Sequence, residues 1–170
     1  MNKILVTGGS GFIGTNLIEN LRYKSDITIK TIDIKSPKIQ SHYQYWSKID
    51  IRDYSSLEKE ILSFNPDFVI HLAARTDLRG KSIEEYNSNT LGVKNLLDCL
   101  DKLTNLRRVV FAASMYVCKP GYIPKNFDDY APHTFYGKSK VITEKLIKEK
   151  QTKNKENRVL VRIYFHCLYK

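Results

Sequence analysis

The chain has 170 residues, 42% of them hydrophobic, and a formal net charge of +10. That length suits one domain with a real core and is short for two, and no apolar run reaches the roughly 20 residues that a membrane span needs. Three cysteines, Cys99, Cys118 and Cys167, are odd in number and far apart, which argues against a disulfide framework or a zinc site and for a reducing cytoplasm. The basic excess points either to an anionic partner or to lysines on solvated faces. The second reading is favoured, because no arginine-aromatic ladder or recognition-helix pattern accompanies the charge, so neither nucleic acid nor a membrane surface is expected as a partner.

The first element is a β-rich run at residues 4–6, close behind a start that leaves no room for a signal peptide. It ends in closely spaced glycines, followed by a helical stripe of Ile13, Leu17, Ile18 and Leu21 over residues 11–21. Strand, glycine turn and helix start together suit a pyrophosphate. Glycines permit the sharp turn and close backbone approach, and the helix start at Phe12 and Ile13 offers unpaired N–H donors and the positive dipole end. Two registers fit: Gly9, Gly11 and Gly14, or Gly8, Gly11 and Gly14. Both put Gly11 at the closest approach to the ligand and Gly14 where the helix packs on the strand.

A second strand at residues 27–32 leads to Asp33, 19 residues beyond Gly14. A carboxylate there can accept both ribose hydroxyls of an adenosine and repel a 2′-phosphate, which favours NAD over NADP; the alternative is a turn aspartate. A third strand, roughly residues 43–49, precedes Asp50-Ile51-Arg52-Asp53. Asp50, with Ile51 beside it, is placed to meet an adenine amino group, whereas Asp53 reads as the cap of a helix over residues 55–63. The fourth strand, residues 68–72, runs into His71-Leu72-Ala73-Ala74. Small residues there let the backbone lie against a bound dinucleotide, and His71 reads as a packed strand histidine.

A helix over residues 86–103 and a strand over 108–112 lead to Ser114, whose hydroxyl is placed at the sheet edge to bond a reacting oxygen. Residues 118–133, with three prolines and a glycine, form a long loop of the kind that often carries function. The helix after it, residues 134–151, carries Tyr136 and Lys140, which share one face. A nearby ammonium and a cationic nicotinamide ring both favour the phenolate, so Tyr136 can exchange a proton with a substrate hydroxyl, and Lys140 can hold the nicotinamide ribose. The last strand is placed at residues 159–163. Strands alternating with helices predict a doubly wound parallel α/β sheet of order 3-2-1-4-5-6, with helices on both faces.

The stretches Thr7-Gly-Gly-Ser-Gly-Phe-Ile-Gly14, Asp33, Asp50-Ile-Arg-Asp53, His71-Leu-Ala-Ala74, Asn89-Thr-Leu-Gly-Val-Lys-Asn-Leu-Leu97, Ser114 and Tyr136-Gly-Lys-Ser-Lys140 together resemble the extended short-chain dehydrogenase/reductase family, in its NAD-dependent sugar epimerase/dehydratase branch. The resemblance implies a Rossmann-like dinucleotide-binding domain over residues 1–170 and a Ser114, Tyr136, Lys140 triad. It also implies tightly held NAD, a nucleotide-sugar substrate and a supporting role for Asn89 at the cofactor. Two departures matter. The family's 4,6-dehydratases carry an Asp-Glu pair after the active-site hydroxyl residue, and here Met115-Tyr116 follows Ser114, which points to epimerisation or simple oxidoreduction. The family's C-terminal substrate domain is expected to be absent, which leaves a truncated form, a non-catalytic NAD-binding remnant and a sugar-nucleotide reductase as alternatives. Self-association or a homodimer through the apolar surface so uncovered is expected.

Overall fold

The computed structural model describes residues 1–153 and 159–163. Six parallel strands form one sheet in the order β3-β2-β1-β4-β5-β6, the order expected. They are β1 (Asn2–Thr7), β2 (Ile27–Asp33), β3 (Trp46–Lys48), β4 (Phe68–His71), β5 (Arg108–Ala112) and β6 (Val159–Ile163). The connecting helices are α1 (Phe12–Leu21), α2 (Tyr54–Phe64), α3 (Asn87–Leu100) and α4 (Phe135–Lys153). The third strand is shorter than expected. Gln40–Tyr45 instead forms a 3₁₀ turn, because His42 turns inward to meet Glu19 Oε2 of α1 at 2.8 Å, and only Trp46–Lys48 pairs with β2. Asp53 caps α2 as expected, accepting from the Ser56 backbone N–H at 3.2 Å. The seven residues after β6, with Cys167 among them, lie outside the described residues.

Successive strand residues point to opposite faces, and the two faces of this sheet are not alike. On one face Leu5, Ile32, Val69, Val109 and Phe111 join Leu57, Ile61, Val93, Leu96 and Ile147 in a single core beneath α2, α3 and α4. On the other, Val6, Ile29 and Thr31 are buried where Ile18 of α1 is also buried, but Phe68 and Ile70 of β4 and Val110 of β5 are only half-buried. Helices lie on both faces of the sheet, as expected, and among the described residues the β1–β2 side is the part covered from both. Among the described residues no helix covers β4 and β5 on the α1 side. None of the described helices is long and apolar enough to cross a membrane.

Candidate active site

The carboxyl ends of β1, β2, β4 and β5 bring the expected residues to one edge of the sheet. Gly8 has φ +75, and a Cβ there would stand 2.6 Å from the Ala73 backbone nitrogen. Left-handed backbone and close approach coincide at Gly8, so it is the first essential glycine of the turn. Gly9 is confined too, by the Thr31 side chain. At Gly11 the nearest atom to an added Cβ is Gly8 O, at 3.3 Å, so its outer side is open. Gly14 packs on the turn itself rather than on the strand, since a Cβ would lie 2.4 Å from Gly8 O and 2.7 Å from Gly9 Cα. Gly8→Ala should cost about 2 kcal/mol or more through backbone strain and contact with Ala73. The check is the urea midpoint; an unchanged midpoint would mean that the turn relaxes freely.

Gly11 caps α1 without any side-chain hydrogen bond, which leaves the first N–H groups of the helix, from Phe12 and Ile13, free for an anion. Both of those side chains point to solvent, so their contribution to a ligand is backbone. Asp33 accepts from the Ser10 N–H at 3.0 Å through Oδ2 and from the Lys35 N–H at 2.9 Å through Oδ1. Each oxygen keeps a further lone pair. The carboxylate is thereby fixed beside the glycine turn and is still able to accept hydroxyls. Asp50 is engaged by the Arg52 guanidinium, with Nη2 to Oδ2 at 2.5 Å, which holds its carboxyl below the usual range. Ile51 is buried in the core against Gly92, so it offers a ligand only its backbone. Leu72, Ala73 and Ala74 are half-buried, and Thr7 binds the first two: its carbonyl accepts from the Leu72 N–H and its hydroxyl from the Ala73 N–H.

Asn89, expected to support the cofactor site, has its amide engaged by the protein itself. Its side-chain nitrogen donates to Arg75 O and to Ser139 Oγ, both at 2.9 Å. Its oxygen accepts from the Arg75 N–H at 2.8 Å and from Ser88 Oγ at 3.2 Å. All the hydrogen-bonding capacity of the amide is used within the protein. Asn89 therefore joins the segment after β4 to α4 and holds the two together.

On the other side of the cleft, Ser114 ends the β5 segment and caps a one-turn 3₁₀ helix, Met115–Val117, by accepting from the Tyr116 N–H at 3.2 Å. Thr134 starts α4, its hydroxyl accepting from the Gly137 N–H at 2.9 Å. That cap sets Tyr136 in the first turn. Gly137 brings the helix against the Ser114 turn, because a Cβ there would be 2.2 Å from Tyr116 O. Tyr136, Ser114 and Lys140 are all buried, and the Ser114 hydroxyl lies near enough to the Tyr136 phenol to act on its titration.

The electrostatics correct one expectation. Burial pushes the Tyr136 phenol up, and the Ser114 hydroxyl pulls it partly back. Lys140 Nζ instead donates to Ala112 O at 2.8 Å, and burial lowers the lysine to about 8, against the pull of Glu144. Without a cation in the cleft, Tyr136 is thus held as a phenol. His71 is buried as expected, with Nδ1 2.7 Å from Thr7 Oγ1. Burial first, and the Lys140 charge second, depress it to about 3.

Two residues of this edge were not singled out in the sequence: Tyr86 and Gly137. Gly137 leaves a trace, since glycine in the first turn of a helix costs about 1 kcal/mol relative to alanine and so hints at a close approach. Tyr86 leaves none, since a tyrosine at a helix start looks like any other. Among the described residues no cluster of His, Cys, Asp or Glu is arranged to hold a metal.

The model of the NAD dependent epimerase/dehydratase family matches residues 4–168. The chain belongs to that family. One relative is the N-acetyl-alpha-D-glucosaminyl-diphospho-ditrans,octacis-undecaprenol 4-epimerase of Escherichia coli O157:H7. It is 34% identical over 155 residues, which are 87% of this chain and 43% of the relative. UDP-glucose 4-epimerase 2 of Oryza sativa subsp. japonica is 26% identical over 98% of this chain and 45% of its own length. Among solved structures, UDP-glucose 4-epimerase from Brucella ovis, in complex with NAD, superposes with a TM-score of 0.78. It is 26% identical, over 96% of this chain and 51% of that one. The chain thus spans about half the length of the relatives it matches.

Proposed function

We propose that this chain is the dinucleotide-binding half of an NAD-dependent nucleotide-sugar epimerase. The observation that carries the reading is the meeting of Ser114, Tyr136 and Lys140 at the edge of the sheet where the Gly8 turn opens. NAD, when bound, supplies a hydride acceptor and donor. The N–H groups of Phe12 and Ile13 and the open side of Gly11 suit its pyrophosphate; Asp33 suits the adenosine ribose. The Asp50–Ile51 segment suits the adenine, and the backbone of Leu72, Ala73 and Ala74 lies along the same edge.

Tyr136 takes the proton from a sugar hydroxyl as the carbon is oxidised and returns it when the ketone is reduced. Ser114 bonds the reacting oxygen, and Lys140 holds the nicotinamide ribose. A cationic ring near Tyr136 favours its phenolate, which opposes the effect of burial. Met115-Tyr116 after Ser114 favours epimerisation over dehydration.

The substrate domain is assigned to a second half of the size that the relatives have and this chain does not span. The uncovered face of β4 and β5 supports that assignment, because parallel sheets bury both faces; alone, that face favours self-association. It equally favours the second reading, a non-catalytic NAD-binding module. A cytoplasmic setting is supported by Cys99 and Cys118, both free thiols.

Calorimetry tests the cofactor. NAD should bind more tightly than NADP, and Asp33→Ala should weaken NAD by roughly 10- to 100-fold, the value of hydrogen bonds to a charged group, while narrowing the preference. Tighter binding of NADP by the unmodified chain would refute the assignment of Asp33.

A further inference from the structure

The segment between β4 and α3 is built around one side chain. Tyr86 is fully buried, among the largest side chains to be so. Its hydroxyl donates to Asp77 O at 2.7 Å and accepts from the Gly80 N–H at 3.1 Å. Gly80 lies so close to the ring that a Cβ would stand 2.3 Å from Tyr86 Cε2. The Arg75 guanidinium covers the ring at 4.9 Å, tied down by Asp77 at 2.8 Å and Glu85 at 3.0 Å. The Tyr86 ring meets Tyr136 at 6.2 Å, inclined at 45°. Tyr116 is the other ring neighbour of Tyr136, edge-on at 5.6 Å.

We propose that Tyr86 is a positioning residue for Tyr136: it turns the ion-paired segment from Arg75 to Glu85 into a fixed wall that orients the Tyr136 ring and shuts water from its flank. The inference rests on the assignment of Tyr136 as the proton-transfer group. Ring and hydroxyl have separate tasks. The hydroxyl closes the segment on itself through Asp77 and Gly80, and the ring transmits that rigidity to Tyr136. An aromatic pair at this distance and tilt has a preferred geometry, worth more than the area it buries. The groups that act on the Tyr136 phenol are its burial, the Ser114 hydroxyl and the phenols of Tyr116 and Tyr86. The wall contributes to the first of these and is one of the last two.

The test is NMR of the chain labelled at tyrosine Cζ, with the Tyr136 resonance assigned through Tyr136→Phe. In the unmodified chain that resonance should titrate above the ordinary phenol value of about 10. Tyr86→Leu, which removes the ring, should move the resonance and bring its midpoint down toward 10. Tyr86→Phe, which keeps the ring but removes the phenol, should lower the midpoint less than Tyr86→Leu does and, in a sample labelled at the backbone amides, should broaden the resonances of residues 77 to 80. Arg75→Met opens the wall from outside and should shift the Tyr136 resonance in the same direction as Tyr86→Leu, which keeps the test available if Tyr86→Leu does not fold. A folded Tyr86→Leu or Arg75→Met with an unchanged Tyr136 shift and midpoint overturns the proposal. NAD affinity, measured in parallel on the unmodified chain, reports on the proposed function alone: its absence would sink that function and leave the titration result standing.

Discussion

Mixed with the second half of an epimerase relative, the chain should turn over UDP-sugars orders of magnitude faster than it does by itself, and Tyr136→Phe should abolish the gain. The physical ground is positioning. Ser114, Tyr136 and Lys140 are already gathered at the sheet edge, but a proton can be moved only from a hydroxyl held within hydrogen-bond reach of the phenol. Holding reactants in place accounts for about 7–11 kcal/mol of a barrier in well-oriented systems. A chain that binds NAD but leaves the sugar free to tumble forgoes most of that. The measurement is epimerisation of UDP-glucose by the chain alone, by the mixture, and by the mixture carrying Tyr136→Phe. Robust turnover by the chain alone, lost in Tyr136→Phe, would show a complete small enzyme. A mixture that stays inactive while NAD binds would favour the non-catalytic module.

Acid should unfold the chain through His71. In the fold the imidazole stays neutral down to about pH 3, whereas its ordinary value is 6.5. Between those two values the unfolded chain binds the additional proton. Stability therefore falls as the pH drops from 6.5 to 3, and below 3 this group removes no more. At about 1.4 kcal/mol for each pH unit, the loss amounts to roughly 5 kcal/mol at most, a large part of the stability of an ordinary domain. His71→Asn removes the titrating ring. Its urea midpoint should depend less on pH over that window, even if the variant is less stable at neutral pH. An equally steep acid profile in His71→Asn would assign the acid loss to other groups. Lys140 adds a slope of the same sign between pH 8 and about 10.5, because burial depresses it as well.

Strand order was legible because the strands alternate with helices and only one handed path joins parallel strands in that order. The identity of the edge residues was legible for a related reason: each follows a strand, and the carboxyl ends of parallel strands share one edge. What the sequence hid depends on contacts made across the fold. The shortness of β3 follows from the pull of His42 toward Glu19, 23 residues away. Asn89 was expected to support the site, but an asparagine pattern does not reveal that Arg75 and Ser139 are the partners of its amide. The lysine's effect on Tyr136 was argued from helical spacing alone, and Ala112, a strand away, holds that ammonium instead. In each case the partner is remote in sequence, and local pattern carries no information about it.

The sheet with one half-bare face sets an order of opening. Backbone hydrogen bonds exchange with solvent according to how much must come apart to expose them. Where β1 meets β2, Leu5 and Ile32 on one face and Val6 and Ile29 on the other are buried, so opening that pair means dismantling both layers. Where β4 meets β5, only the layer beneath α2, α3 and α4 has to yield, since Phe68, Ile70 and Val110 already touch water. Deuterium should therefore reach the amides of β4 and β5 before those of β1 and β2, although β4 lies directly beside β1 in the sheet. The edge that carries the candidate site is then divided in time: the glycine turn stands on the slow half, while Ser114 and the carbonyl that holds Lys140 stand on the half that breathes.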